Sequence, residues 1–174
     1  MNMEWTTYHK QVENSLVISA FPGCGKTTAY NHYKDNGDLK VWDSDSSEYP
    51  KEDFPNNYIE HIKKGIKEGV DIIFVSSHRE VREALWRAGI KYALIYPNIE
   101  LKNEYLKRYK ERGNTPEFIS LLDENWHNWI MDFSYCPSNP KFELSSGEFI
   151  NSDIIEWMLQ FDKYNLESCG VINR

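Results

Sequence analysis

Cysteine is scarce in this chain, with three in 174 residues, Cys24, Cys136 and Cys169. The number is odd, the spacing is wide, and no C-x-x-C pair occurs, which argues against a disulfide framework or a zinc ribbon and suits a reducing cytoplasm. Long apolar runs are missing. None approaches the roughly 18 residues that a membrane helix needs, and the opening MNMEWTTYHKQVENS has no apolar centre of the kind a signal peptide carries. A cytoplasmic protein without membrane association is expected. Blocks of basic charge are absent too. With a formal net charge of -7, most of the surface repels a long polyanion, so long nucleic acid is a disfavoured partner.

What is present is a globular composition. Hydrophobic residues at 40% and charged residues at 27% exclude a disordered chain, and the length suits one domain spanning 1–174. The aromatic share of 14% is high, so these rings must be packed or in contact with ligands.

SLVISA, Ser15 to Ala20, is a short apolar run that meets a turn at Pro22 and Gly23, as a buried strand does. LKVWD (Leu39 to Asp43), DIIFVSS (Asp71 to Ser77), KYALIYP (Lys91 to Pro97) and KFELSS read as four more strands. Between them, a helix runs from about Lys26 to Gly37. Tyr58, Ile59, Ile62 and Ile66 recur at helical spacing ahead of Gly69. Ser77 with Glu80 reads as a capping box for a helix ended by Gly89. Two helices follow, at about 99–112 and 116–131, the second capped by Thr115 with Pro116 in its first turn. DFSYCPSNP reads as a loop and NSDIIEWMLQF as a closing helix. This alternation predicts an α/β three-layer sandwich around a five-stranded parallel sheet, built by right-handed crossovers.

The first strand leads into AFPGCGKTT, where Ala20 stands in place of the usual first glycine of a phosphate loop. Glycines let successive backbone N–H groups curl around phosphate oxygens, a lysine meets the β and γ phosphates, and a threonine hydroxyl holds magnesium. Gly23, Cys24, Gly25, Lys26, Thr27 and Thr28 are therefore the expected nucleotide-binding residues, with ATP and Mg²⁺ as the ligands. A strand exit needs only a small side chain, which Ala20 supplies. The bland alternative is a glycine-rich turn with a surface lysine.

A switch or motor NTPase has an acid at the end of an apolar strand, but the third strand here ends FVSSH. The second strand instead ends VWDSDSSEY, putting Asp43 and Asp45 at the carboxyl edge of the sheet, where ligands bind in open α/β folds. One carboxylate can order the metal, a role given to Asp43 with Thr27, while Asp45 meets the acceptor and takes its proton. A solvated turn rich in Asp and Ser is the competing reading.

These motifs resemble those of the P-loop nucleoside monophosphate and small-molecule kinases, over nearly the whole chain. The segment IYPNIELKNEYLKRYKERGNTPEFISLL is similar to the strand, proline, helix and lid of adenylate-kinase-like enzymes, whose R-x-x-x-R-G is matched by Arg108, Arg112 and Gly113. WDSD is similar to the acidic pair of shikimate kinase, and the whole resembles small predicted kinases encoded by tailed bacteriophages. The resemblance implies a single kinase domain with a short lid around 108–117. It also implies γ-phosphate transfer from ATP to a small acceptor, first of all a nucleoside monophosphate, in nucleotide metabolism, with a phage-infected bacterial cell as one setting. The lid is only GNTPE and the helix after it carries no arginine, which departs from strict adenylate kinases.

Arg108 and Arg112 share a helix face and are expected to brace the transferring phosphoryl group. Arg79, with Arg82 a turn later, is expected to hold the phosphate of a monophosphate acceptor. A solvated basic face, and an Arg79 pair with Glu83, are the structural alternatives. His78 reads as a capping-region polar residue, His61 and His127 as structural, and Trp42, Trp126 and Trp129 as core. Two other functions stay open. One is phosphorylation of a hydroxyl on a metabolite, nucleoside or nucleic-acid end with Asp45 as base, and the other is a regulatory nucleotide-binding module without catalysis.

Overall fold

A computed structural model describes residues 15–36, 39–138 and 140–168. Gly37, Cys169 and the polar N-terminal segment lie outside the described residues. The strands are β1 (Leu16–Ala20), β2 (Val41–Asp43), β3 (Ile72–Val75), β4 (Ala93–Pro97) and β5 (Lys141–Leu144). The helices are α1 (Lys26–Asn36), α2 (Asn56–Lys67), α3 (Arg79–Arg87), α4 (Lys102–Glu111), α5 (Pro116–Tyr135) and α6 (Ser152–Ser168). Every strand pairing is parallel and the spatial order is β2-β3-β1-β4-β5. This is the five-stranded α/β phosphate-loop architecture expected from the sequence.

β1 and β3 are buried at every position, as central strands covered on both faces must be. The walk across the sheet reverses after β2. Right-handed crossovers therefore put α1 on one face and α2 through α5 on the other. The carboxyl ends of β1, β2 and β3 converge on one edge, where β1 runs into the phosphate loop.

Two local expectations change. The Ser77–Glu80 box does not form. The residue before α3 is His78, which makes no side-chain capping bond, and Ser77 lies one residue outside the cap, where its carbonyl accepts from Arg82 Nε at 3.1 Å. The segment read as a loop from Asp132 is helical through Tyr135, since Ile130 and Phe133 continue the buried stripe of α5. Thr115 does cap α5, accepting the Phe118 N–H on Oγ1.

Candidate active site

The loop is shaped by what lies beneath it. Phe21 N–H donates to the Ile95 carbonyl at 2.8 Å, carrying the sheet one step past Ala20, which is buried and needs no glycine. Gly23 and Gly25 then take φ of +83° and +96°, in the left-handed region that L side chains avoid. A Cβ at Gly23 would press on the Tyr109 hydroxyl at 3.0 Å, and one at Gly25 would meet the Phe149 ring at 3.3 Å. α1 starts at once, and its first internal bond is Ala29 N–H to the Gly25 carbonyl at 3.0 Å. The N–H groups of Lys26, Thr27 and Thr28 thus have no helical carbonyl to bond and mark the positive end of the helix.

Cys24 departs from expectation. Its thiol is fully buried, 3.5 Å from the Tyr105 hydroxyl, and burial pushes it up to about 12. Its N–H, expected on a phosphate, donates to the Phe21 carbonyl at 3.2 Å, while its carbonyl accepts the Ile150 N–H at 2.9 Å. The reason is that this turn closes on itself and on the chain before α6.

The acidic pair divides in two. Asp43 Oδ1 is buried with Lys26 Nζ at 3.2 Å, yet it accepts no hydrogen bond among the described residues. A buried carboxyl oxygen so poorly satisfied, at the end of β2, and the exposed hydroxyl of Thr27 on the first turn of α1 are oxygen donors of the kind a hard cation uses, and magnesium fits them. No cluster of three or more His, Cys, Asp or Glu occurs among the described residues. Magnesium needs none, because it is held by one or two protein oxygens together with substrate phosphates. Asp45 lines the cleft instead. Its Oδ1 accepts the Ser47 N–H at 2.9 Å, and that bond, with help from the nearby Lys26 and His78, holds the carboxyl below the usual carboxylate range.

Tyr58 positions both. Its hydroxyl donates to the Ser44 carbonyl at 2.7 Å and accepts the Ser76 N–H at 3.0 Å, tying the end of β2 to the end of β3. Ser44 Oγ is also 3.0 Å from His61 Nε2, and the His61 ring stacks on Trp42 at 4.8 Å. Helical periodicity placed Tyr58 only in an apolar stripe. Nothing local says that its hydroxyl reaches between two strand ends.

The main cleft has a volume of about 640 Å³ and lies between the phosphate loop, Asp45, the Ser76–His78 segment and the α4–α5 turn. Arg108 and Arg112 both line it, in different states. The Arg108 guanidinium lies between the rings of Tyr105 and Phe149, 4.5 and 3.9 Å from their centroids. It donates to the carbonyls of Gly23 and Glu148, both at 3.2 Å, and pairs with Glu104. It is a clamp on the loop. Arg112 is exposed at the end of α4 and makes no ion pair among the described residues.

Arg79 and Arg82, expected at the mouth of this cleft, do not line it. Arg82 is buried on α3, ion-paired with Asp132 of α5 and stacked 4.4 Å over Phe133. Arg79 is exposed and bonds Glu83 at 2.8 Å, the i+4 pair that the helix surface offers. Both border an adjoining pocket of about 430 Å³ whose walls include Phe118, Trp129 and Phe133. Ser77 and His78 line both spaces, and composition gave no sign of them beyond polarity.

No protein-family model matches this chain, and no curated protein matches it. Solved structures do. One is a shikimate kinase from Bacteroides thetaiotaomicron, with 14% identity and a TM-score of 0.43, covering 88% of this chain and 98% of that one. Another is an uncharacterized protein from Eubacterium ventriosum, with 13% identity and a TM-score of 0.43, covering 90% of this chain and 99% of that one. The architecture stands on the chain's own topology. Among the described residues no helix is long and apolar enough to cross a membrane.

Proposed function

We propose that this chain is a magnesium-dependent phosphotransferase that moves the γ-phosphate of ATP to a hydroxyl of a small, nucleoside-like acceptor. One observation carries the choice of acceptor. The cleft wall facing the phosphate loop is made of Asp45, Ser46, Ser76, Ser77 and His78, a carboxylate, three hydroxyls and an imidazole, with neither Arg79 nor Arg82 among them. A dianionic acceptor needs a fork-shaped cation there, and a hydroxyl does not. Lys26 and the open N–H groups of α1 hold the donor phosphates, and Arg112 meets the charge that gathers on the transferring group. Asp45, kept ionised, accepts the hydrogen bond of the acceptor hydroxyl. A weak base suffices, because the transition state of phosphoryl transfer is loose and the proton leaves late. Thr27 and Asp43 would hold magnesium, which would supply neutralising charge to the donor phosphates.

A coupled ADP-release assay over nucleosides, hydroxylated metabolites and nucleoside monophosphates tests the reading. Hydroxyl acceptors are expected to outrun monophosphates, and Asp45→Asn to cut turnover ~100- to 10,000-fold with ATP affinity kept. The monophosphate reading has its own support, since Arg79 borders the adjoining pocket. It wins if monophosphates are the better acceptors and Arg79→Ala raises their KM. Nucleotide binding with no turnover of any acceptor would favour a regulatory module.

A further inference from the structure

Three spaces lie in series on this face. The cleft shares Ser77, His78 and Phe118 with the 430 Å³ pocket, and that pocket shares Arg79, Arg82 and Asp132 with a third of about 370 Å³. The third is walled by Trp86 of α3 and Tyr135 at the end of α5, 60% and 77% exposed. One exposed aromatic needs no explanation, but two beside a single groove form a stacking surface. Arg79 and Arg82 are balanced by Glu83 and Asp132, whereas Arg87, also on the groove, makes no ion pair among the described residues. The groove is locally cationic on a chain of net charge -7.

Exposed rings beside one uncommitted guanidinium suit a planar base carrying a single phosphodiester. We infer that the third pocket receives the second nucleotide of a short single-stranded oligonucleotide whose terminal hydroxyl is the phosphate acceptor. The terminal base lies in the middle pocket beside Phe118 and Trp129, and the chain passes over Arg79. This rests on the hydroxyl-acceptor reading and extends it to a substrate class. The acceptor oxygen forms a bond to the γ phosphorus, the bond from that phosphorus to the β-bridging oxygen breaks, ADP leaves, and the hydroxyl proton passes to Asp45 and then to water. A duplex does not fit, because its bases are already stacked. A long strand gains nothing past the groove, where it meets a repulsive surface.

The test measures kcat/KM of the full chain for thymidine, its dinucleotide, trinucleotide and 20-mer, and for the matching uridine series, which separates DNA from RNA. The expected result is a rise of about tenfold or more from nucleoside to dinucleotide, the size of one base–aromatic stack, and a plateau from the trinucleotide on. Trp86→Ala and Tyr135→Ala should each reduce that rise while the nucleoside value stays. Equal values for nucleoside and dinucleotide, or variants that lower both alike, overturn the inference. Calorimetry with a dinucleotide methylated on both terminal hydroxyls reads the groove without turnover. Wild type should bind it about tenfold tighter than Trp86→Ala, and equal affinities overturn the groove. If that difference persists while no hydroxyl is phosphorylated, the groove stands as an oligonucleotide site and the phosphotransfer reading falls. A nucleoside monophosphate that binds as tightly as the dinucleotide, with the same loss in Trp86→Ala, would make the groove a separate nucleotide site and overturn the inference.

Discussion

Lys26 has the Asp43 carboxylate at 3.2 Å, so replacing it removes a cation from the proposed phosphate site and from a buried oxygen together. Lys26→Ala is expected to weaken ATP binding on the order of 10- to 100-fold, the range of a lost charge-assisted hydrogen bond, with the far-ultraviolet spectrum unchanged. Calorimetry showing equal ATP affinity would remove the phosphate-loop assignment. Asp45 is depressed by the Ser47 N–H it accepts. For a carboxyl with a lowered folded pKa, the stabilisation is fully present above about pH 4, the ordinary aspartate value, and is lost as the pH falls through the lower folded value. A carboxyl chemical-shift titration is expected to place its midpoint below that of a model aspartate. An unshifted midpoint would mean that the cap is not made in solution.

At the scale of elements, strand ends and a helix are joined by single hydroxyls and guanidinium groups. Tyr58→Phe deletes the bridge from α2 to the ends of β2 and β3, leaving the Ser44 carbonyl and Ser76 N–H without that partner. A buried unsatisfied group costs about 1–3 kcal/mol, so Tm should fall by roughly 2–12 °C, and turnover should drop through misplacement of Asp45. A calorimetric scan that matches wild type would show the bridge to be idle. Arg108 and Arg112 now separate. Arg108→Lys loses the planar fork that reaches Gly23, Glu148 and Glu104, so it should lower both Tm and ATP affinity. Arg112→Lys should lower kcat and leave Tm unchanged. Parallel effects in the two variants would contradict this division. Spacing put both arginines on one helix face and went no further, because the two carbonyls that Arg108 reaches lie on the loop and before α6, 85 and 40 residues away in the chain.

At the scale of the whole molecule, the site sits at the edge where three parallel strands end and two helical layers part. A ligand bound there stabilises only the folded chain. Magnesium-ATP at about a hundred times its Kd adds roughly 2.7 kcal/mol, a Tm rise of about 5–11 °C for a domain of this size. Lys26→Ala should show much less of it at the same concentration. Equal shifts in both proteins would place the nucleotide elsewhere.

The sequence by itself determined the sheet, the loop and the acidic strand end. Apolar runs bounded by glycine and proline, a glycine-lysine-threonine turn and Asp43 with Asp45 are local signals, and local backbone preferences express them directly. Tertiary structure decided which of those charges are available. Asp132 neutralises Arg82 from 50 residues away, and the phosphate loop and the segment before α6 hold Arg108, while Arg112 makes no ion pair among the described residues. The Cys24 carbonyl is taken by the Ile150 N–H from the segment before α6. Pairings of this kind depend on which helices and loops are packed together in the fold. One chain position does not record what another, far along the sequence, will bring to it.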